Sequence, residues 1–97
     1  MHVISEKKLR EFWQEWAEAE DPLRAWYRVA EHATWEKFAD VKAVYRHVDQ
    51  VGRCTVFNIG GNKFRLVAVI HFNRRKVYIR HVMTHEEYDQ GKWKEGC

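Results

Sequence analysis

The chain has 97 residues, enough for one domain and no more, and with 45% hydrophobic residues and five tryptophans it has the apolar content of a packed core rather than a disordered segment. Its net charge of +3 and pI near 9.0 are a mild basic excess, which points to a polyanionic partner only if the positive side chains gather on one face. No apolar run approaches membrane-spanning length, and the first eight residues, MHVISEKK, lack the apolar stretch of a signal peptide, so the expected compartment is the cytoplasm, with no membrane association. The two cysteines, Cys54 and Cys97, form no framework spacing. Cys54 is expected to pack within a strand and Cys97, the last residue, to be a free thiol.

Along the chain, residues 2–5 (HVIS) read as a short strand that ends at a helix N-cap, Ser5. Leu9, Phe12, Trp13, Trp16 and Ala17 then recur at the i, i+3, i+4, i+7, i+8 spacing of one apolar helical stripe. Asp21-Pro22 is a restart signal, with Asp as N-cap and Pro at the first helical position. Leu23, Trp26, Tyr27 and Ala30 make a second stripe. Two amphipathic helices across a short break predict an antiparallel hairpin. Residues 34–53 are less regular; 39–45 allow a short helix and the rest reads as connection.

From Cys54 the apolar period changes to two. Thr55, Phe57 and Ile59 share one face of a strand, as do Phe64, Leu66, Ala68 and Ile70, and then Val77, Ile79 and Met83. The expected architecture is α+β. A two-helix hairpin packs on one face of a small, mostly antiparallel sheet, in the order β-α-α-β-β-β with a short C-terminal helix. Residues 1–97 are expected to form one domain, and the second sheet face is expected to stay open.

Gly60-Gly61-Asn62-Lys63 sits between two strands. A phosphate-cradling loop needs spaced glycines before a helix N-terminus, and here a strand follows, so a hairpin turn centred on Gly61-Asn62 is the better reading. It sets Ile59 against Phe64, Phe57 against Leu66 and Asn58 against Arg65. Carried into the next hairpin, the same logic sets Ile70 against Val77, Leu66 against His81 and Val67 against Arg80. Arg65 and Arg80 then become diagonal neighbours on the open face, with Lys63, Lys76 and Tyr78 on the same side. This pattern fits an anion site, and it also fits a solvated strand face.

Thr84-x-x-Glu87 is a capping box, and Met83 and Tyr88 occupy the positions of a hydrophobic staple. His85 would be the first residue of the helix so capped. A helix N-terminus and nearby arginines disfavour an imidazolium, and a neutral imidazole can accept a proton. No metal site is expected. His81 falls on the core side of its strand and His71 on the other, and no Cys or carboxylate set has ligand spacing. No nucleophile elbow or dinucleotide fingerprint is present, and Ser5 is the only serine.

The segments MHVIS, PLRAWY, FNIGGNKFRLV and YIRHVMTHEEYD together resemble the HigB family of bacterial toxins, in order and over nearly the whole chain. The resemblance implies a RelE-like fold and a small messenger-RNA endonuclease that works on the 70S ribosome. It also implies a HigA-type helix-turn-helix antitoxin whose complex with the toxin binds operator DNA. Residue by residue, Arg65 matches the arginine of the GGNK-(F/Y)-R motif, Arg80 that of YIR, and His85 and Tyr88 the TH-x-x-Y-D segment. The expected catalytic set is Arg65, Arg80, His85 and Tyr88, with Lys63, Asn58, Lys76 and Tyr78 binding RNA and no cofactor. Two other readings stay open. One is a toxin of the same fold that inhibits a protein such as gyrase; the other is a non-catalytic RNA- or ribosome-binding module.

Overall fold

The computed structural model describes residues 1–97. Strand β1 (His2–Ile4) leads into helix α1 (Lys7–Glu15), a 3-10 turn over Ala17–Ala19, and helix α2 (Glu20–His32). Helix α3 (Phe38–Val44) and strands β2 (Asp49–Val51), β3 (Cys54–Ile59), β4 (Phe64–His71) and β5 (Lys76–Thr84) follow. Helix α4 (His85–Gln90) and a 3-10 turn over Lys92–Lys94 complete the order. The strands form one sheet in the order β1-β5-β4-β3-β2, in which only β1 and β5 run parallel. The α+β reading and the element order hold, and β2, hidden in the irregular 34–53 stretch, is an added edge strand.

Helix ends depart from the sequence reading. Ser5 does not cap α1; its φ is +73, no side-chain cap forms, and only its carbonyl accepts from Lys8 N at 3.0 Å. Helix α1 stops at Glu15, so Trp16 leaves the stripe and is 40% exposed. Helix α2 already starts at Glu20, one residue ahead of the expected cap. Pro22 therefore sits inside the first turn, where backbone N–H groups have no helical partner and its ring costs nothing.

The helix side of the sheet holds sixteen buried residues, among them Leu9, Leu23, Trp26, Phe57, Leu66 and Ile79. Phe57 is its aromatic centre, edge-on to Trp26 at 5.4 Å and to Tyr45 at 5.3 Å between ring centroids. Burial in this cluster pushes the Tyr45 phenol up to about 12.

The first hairpin has the expected register, Ile59 to Phe64, Phe57 to Leu66 and Asn58 to Arg65. Lys63 N donates to Gly60 O at 3.5 Å across the turn. Positive φ falls on Gly60 and Gly61, not on Asn62, so the glycines carry the turn's strain-free left-handed backbone.

The second hairpin begins as expected, Ile70 to Val77, and then slips. A bulge opposite Val67/Ala68 leaves Arg80 as the extra residue, so Val67 faces His81 and Leu66 faces Val82. An extra residue inverts the alternation beyond it. His81 and Met83 thus leave the core side where the pattern had put them; Met83 joins Val56 and Val67 on the second face.

That second face is not open. Cys54, Val56, Val67, Met83 and Trp93 form a smaller buried cluster there, with Tyr88 and Cys97 packed against it. Cys97 is not a free thiol; it forms a disulfide with Cys54. The register error and the missed cover share a cause. Neither a bulge nor the landing place of the seven-residue segment after α4 is encoded in local periodicity.

Candidate active site

Three elements meet at one end of the sheet: the 60–63 turn, the end of β5 and the start of α4. Thr84 Oγ1 accepts from Glu87 N at 3.2 Å, and Glu87 Oε1 accepts from Thr84 N at 3.1 Å, so the capping box is formed as read. His85 N donates to Lys63 O at 3.0 Å, which ties the helix start to the turn. His85 and Lys63 border one cleft with Trp16, Phe64, Thr84 and Glu86. Lys63 Nζ pairs with Glu18 Oε2 at 3.1 Å across the mouth of that cleft, on the exposed surface.

His85 has a partner that the sequence reading passed over. Its Nδ1 lies 2.9 Å from Asp89 Oδ2, one helical turn on. The i,i+4 spacing was visible in HEEYD and could have flagged Asp89. A carboxylate beside Nδ1 favours the proton on that nitrogen and leaves Nε2 as the acceptor.

Arg65 is the most constrained cation of the group, and only 7% exposed. Its Nη2 donates to Asn62 Oδ1 at 2.5 Å, and its Nη1 donates to the carbonyls of Asn62 at 3.2 Å and Phe64 at 3.1 Å. Its guanidinium stacks over the Tyr88 ring at 5.2 Å. A buried guanidinium needs these acceptors, because it cannot lose its proton. The sequence marks Asn62 as a turn residue only; a contact made by a side chain folding back over the turn has no sequence signature.

Arg80 lies on the same sheet face but keeps different company. Its Nη2 is so close to Gly96 that a Cβ built there would stand 3.0 Å away, and its carbonyl accepts from Lys8 Nζ at 2.9 Å. His81, its neighbour in the bulge, is held below its usual 6.5 by burial, Lys8 and Arg80. It borders a shallow cleft with Met83, Glu87 and Trp93.

Asn58 sits beside Arg65 in the ladder. Lys76 and Tyr78 are at the far end of β5, where Tyr78 packs edge-on to His71 at 5.1 Å. Lys76 and Thr84 are the two ends of the nine-residue β5, roughly 25 Å apart at the usual rise. The structure thus joins Lys63 to His85 and Arg65 to Tyr88, sets Arg80 in the bulge under a neighbouring segment, and leaves Lys76 and Tyr78 remote. No three His, Cys, Asp or Glu side chains gather into a metal-sized group.

These features coincide with family-level likeness. A family model described as the RelE-like toxic component of a toxin-antitoxin system, HigB_toxin, matches residues 19–91. The "mRNA interferase toxin HigB" of Escherichia coli K12 is 36% identical over 92 residues, which is 92% of this chain and 88% of that protein. An "mRNA interferase HigB" of Escherichia coli O6:H1 is 25% identical over 93 residues, 93% of this chain and 90% of that protein. The chain belongs to the HigB family of RelE-like toxins, the toxic half of a pair whose other half is an antitoxin.

Proposed function

We propose that this toxin is a ribosome-dependent mRNA endonuclease that cuts without a metal ion. The observation that carries the reading is the α4 start, where His85 backed by Asp89 stands beside Lys63 and next to the Arg65–Tyr88 pair. The chemistry needs a base, an acid and positive charge. The base removes the proton of the 2′-hydroxyl as its oxygen bonds to the adjacent phosphorus. The bond to the 5′-oxygen breaks and that oxygen takes a proton from the acid, leaving a 2′,3′-cyclic phosphate and a 5′-hydroxyl.

In this scheme His85 Nε2 takes the 2′ proton, because Asp89 keeps the other ring nitrogen protonated. Tyr88 serves as the acid: its phenolic O–H gives the proton to the departing 5′-oxygen and is left as the phenolate. Arg65 and Arg80 stabilise the charge that grows on the phosphate, and Lys63 and Asn58 hold the flanking RNA. Lys76 and Tyr78, remote from that phosphate, contact RNA at a second place on the same face. The likeness to proteins named mRNA interferases supports this reading over a gyrase-type inhibitor. The partner is a HigA-type helix-turn-helix antitoxin, the pair binds operator DNA, and the toxin acts in the cytoplasm, where ribosomes are. No helix is long and apolar enough to cross a membrane.

The test is to map 5′ ends on a translated message with purified ribosomes. His85→Ala is expected to slow cleavage on the order of a hundredfold, and Arg65→Ala to add about 2–4 kcal/mol to the barrier. A folded Arg65→Ala protein that cuts at the normal rate would leave Arg65 a purely structural role under Tyr88. RNA left intact by the wild-type protein would favour a binding module instead.

A further inference from the structure

Arg65 poses a problem for any substrate. Arg65 is 7% exposed as a residue, and with its guanidinium taken up by Asn62, Phe64 O and the Tyr88 ring it cannot meet a phosphate as it stands. What lies over it is Tyr88, whose ring is stacked on Trp93 at 4.9 Å with planes 13° apart. Trp93 is itself fastened, its Nε1 donating to Tyr88 O at 2.9 Å and its ring seated on Val56, Val67 and Met83. Residues 91–97 therefore cross the second sheet face from the end of α4 to the start of β3.

The far end of that crossing is tied down at one spot. Cys97 is bonded to Cys54, Arg53 N donates to Cys97 O at 2.9 Å, and Arg53 Nε donates to Gly96 O at 3.0 Å. Gly52 has no room for a side chain, since a Cβ there would lie 2.0 Å from Cys97 O. Arg80 is pressed against Gly96 by the same crossing. The family match stops at residue 91, so residues 92–97 of the strap lie beyond it.

We propose that residues 91–97 are a redox-controlled cover over the anion site, closed by the Cys54–Cys97 disulfide and released when it is reduced. The inference rests on the proposed endonuclease site for its consequence, but not for its structural test. In a reducing compartment a disulfide is transient and acts as a sensor. A dithiol supplies two electrons and two protons: one thiolate attacks a sulfur of the bridge, the second displaces the mixed disulfide, and Cys54 and Cys97 leave as thiols while the dithiol closes into its own disulfide. What then holds the segment is a few exposed hydrogen bonds and one tryptophan seated against four other buried residues. Such a segment opens locally at low cost. Its opening uncovers Tyr88, Arg80 and, through Tyr88, Arg65.

Two measurements on the full chain decide this. First, oxidised protein shown by mass to lack free thiols is compared with dithiothreitol-reduced protein in the ribosomal cleavage assay. Reduction is expected to raise the rate at least tenfold. Cys97→Ser should cut at the reduced rate with or without dithiothreitol, which also controls for effects on the ribosome. Trp93→Ala keeps the disulfide and should be partly active when oxidised. Second, amide hydrogen exchange should show residues 94–97 losing protection on reduction while β3 and β4 keep theirs. Equal rates from oxidised and reduced protein, or a segment equally protected in both, overturns the cover. If no form cuts RNA, the endonuclease reading fails and the exchange result alone judges the cover.

Discussion

The two faces of the sheet are stabilised in different ways. The helix face is a large aromatic core built by residues whose spacing repeats along α1, α2, β3 and β4. The other is a five-residue cluster that includes Trp93 of a short covering segment, which is joined to the sheet by one covalent bond between residues 43 apart in sequence. A core built by periodic elements is redundant: many side chains share its burial, and it does not depend on any cross-link. A small face with a strap is conditional, because little apolar area is hidden there and most of its order comes from closing one loop. The proposed chemistry lies at the border of the conditional face, where opening needs only local change.

The comparison breaks first, and hardest, at Phe57. Phe57→Ala removes the ring on which Trp26 and Tyr45 converge and should cost about 3–5 kcal/mol. The loss should be the same with the disulfide open or closed. Denaturant midpoints under both conditions check this, and a redox-dependent loss would mean that the two faces are coupled.

Next in size is the strap. Cys97→Ser frees a loop of 43 residues and should cost about 2–4 kcal/mol in oxidising buffer and nothing in reducing buffer. Urea titrations of wild type and variant in each buffer read the difference directly. A variant as stable as oxidised wild type would show that the strap contributes covering and no stability.

The turn should respond more weakly. Gly61 has φ +70 with no atom near its absent side chain, so Gly61→Val meets backbone strain and no clash. A cost of about 1–3 kcal/mol follows, read as a shift in the thermal midpoint. An unchanged midpoint would mean that the turn can adopt another form without moving β3 or β4.

The smallest effect concerns His81. Burial first, then Lys8 and Arg80, lower its pKa below 6.5 in the folded protein. Its contribution to stability is intact above the unfolded pKa. As pH falls through about 6.5 the unfolded chain takes up the proton first, so stability declines until the folded pKa is passed. His81→Gln should flatten that slope between pH 7 and 5. An identical slope in the variant would assign it to other groups.

Much of this molecule was legible in its residues. Two apolar stripes of period 3.6, three of period two, the glycine turn with its Ile59–Phe64 register and the Thr84–Glu87 box are local patterns, set by the geometry of helix, strand and turn. The motifs that resemble HigB toxins also lie in the residues themselves, and the family model matches residues 19–91. What only the tertiary structure decided is how the chain closes on itself. The bulge that makes Arg80 the odd residue turns on how β4 and β5 share twist, and it moved His81 and Met83 to the other face. The pairing of Cys97 with Cys54 turns on where a segment lands after α4. The burial of Arg65 beneath Tyr88 and Trp93 turns on that same landing, because a side chain's exposure depends on residues distant in sequence. Period and composition describe which face a residue presents; only the folded chain determines what comes to cover it.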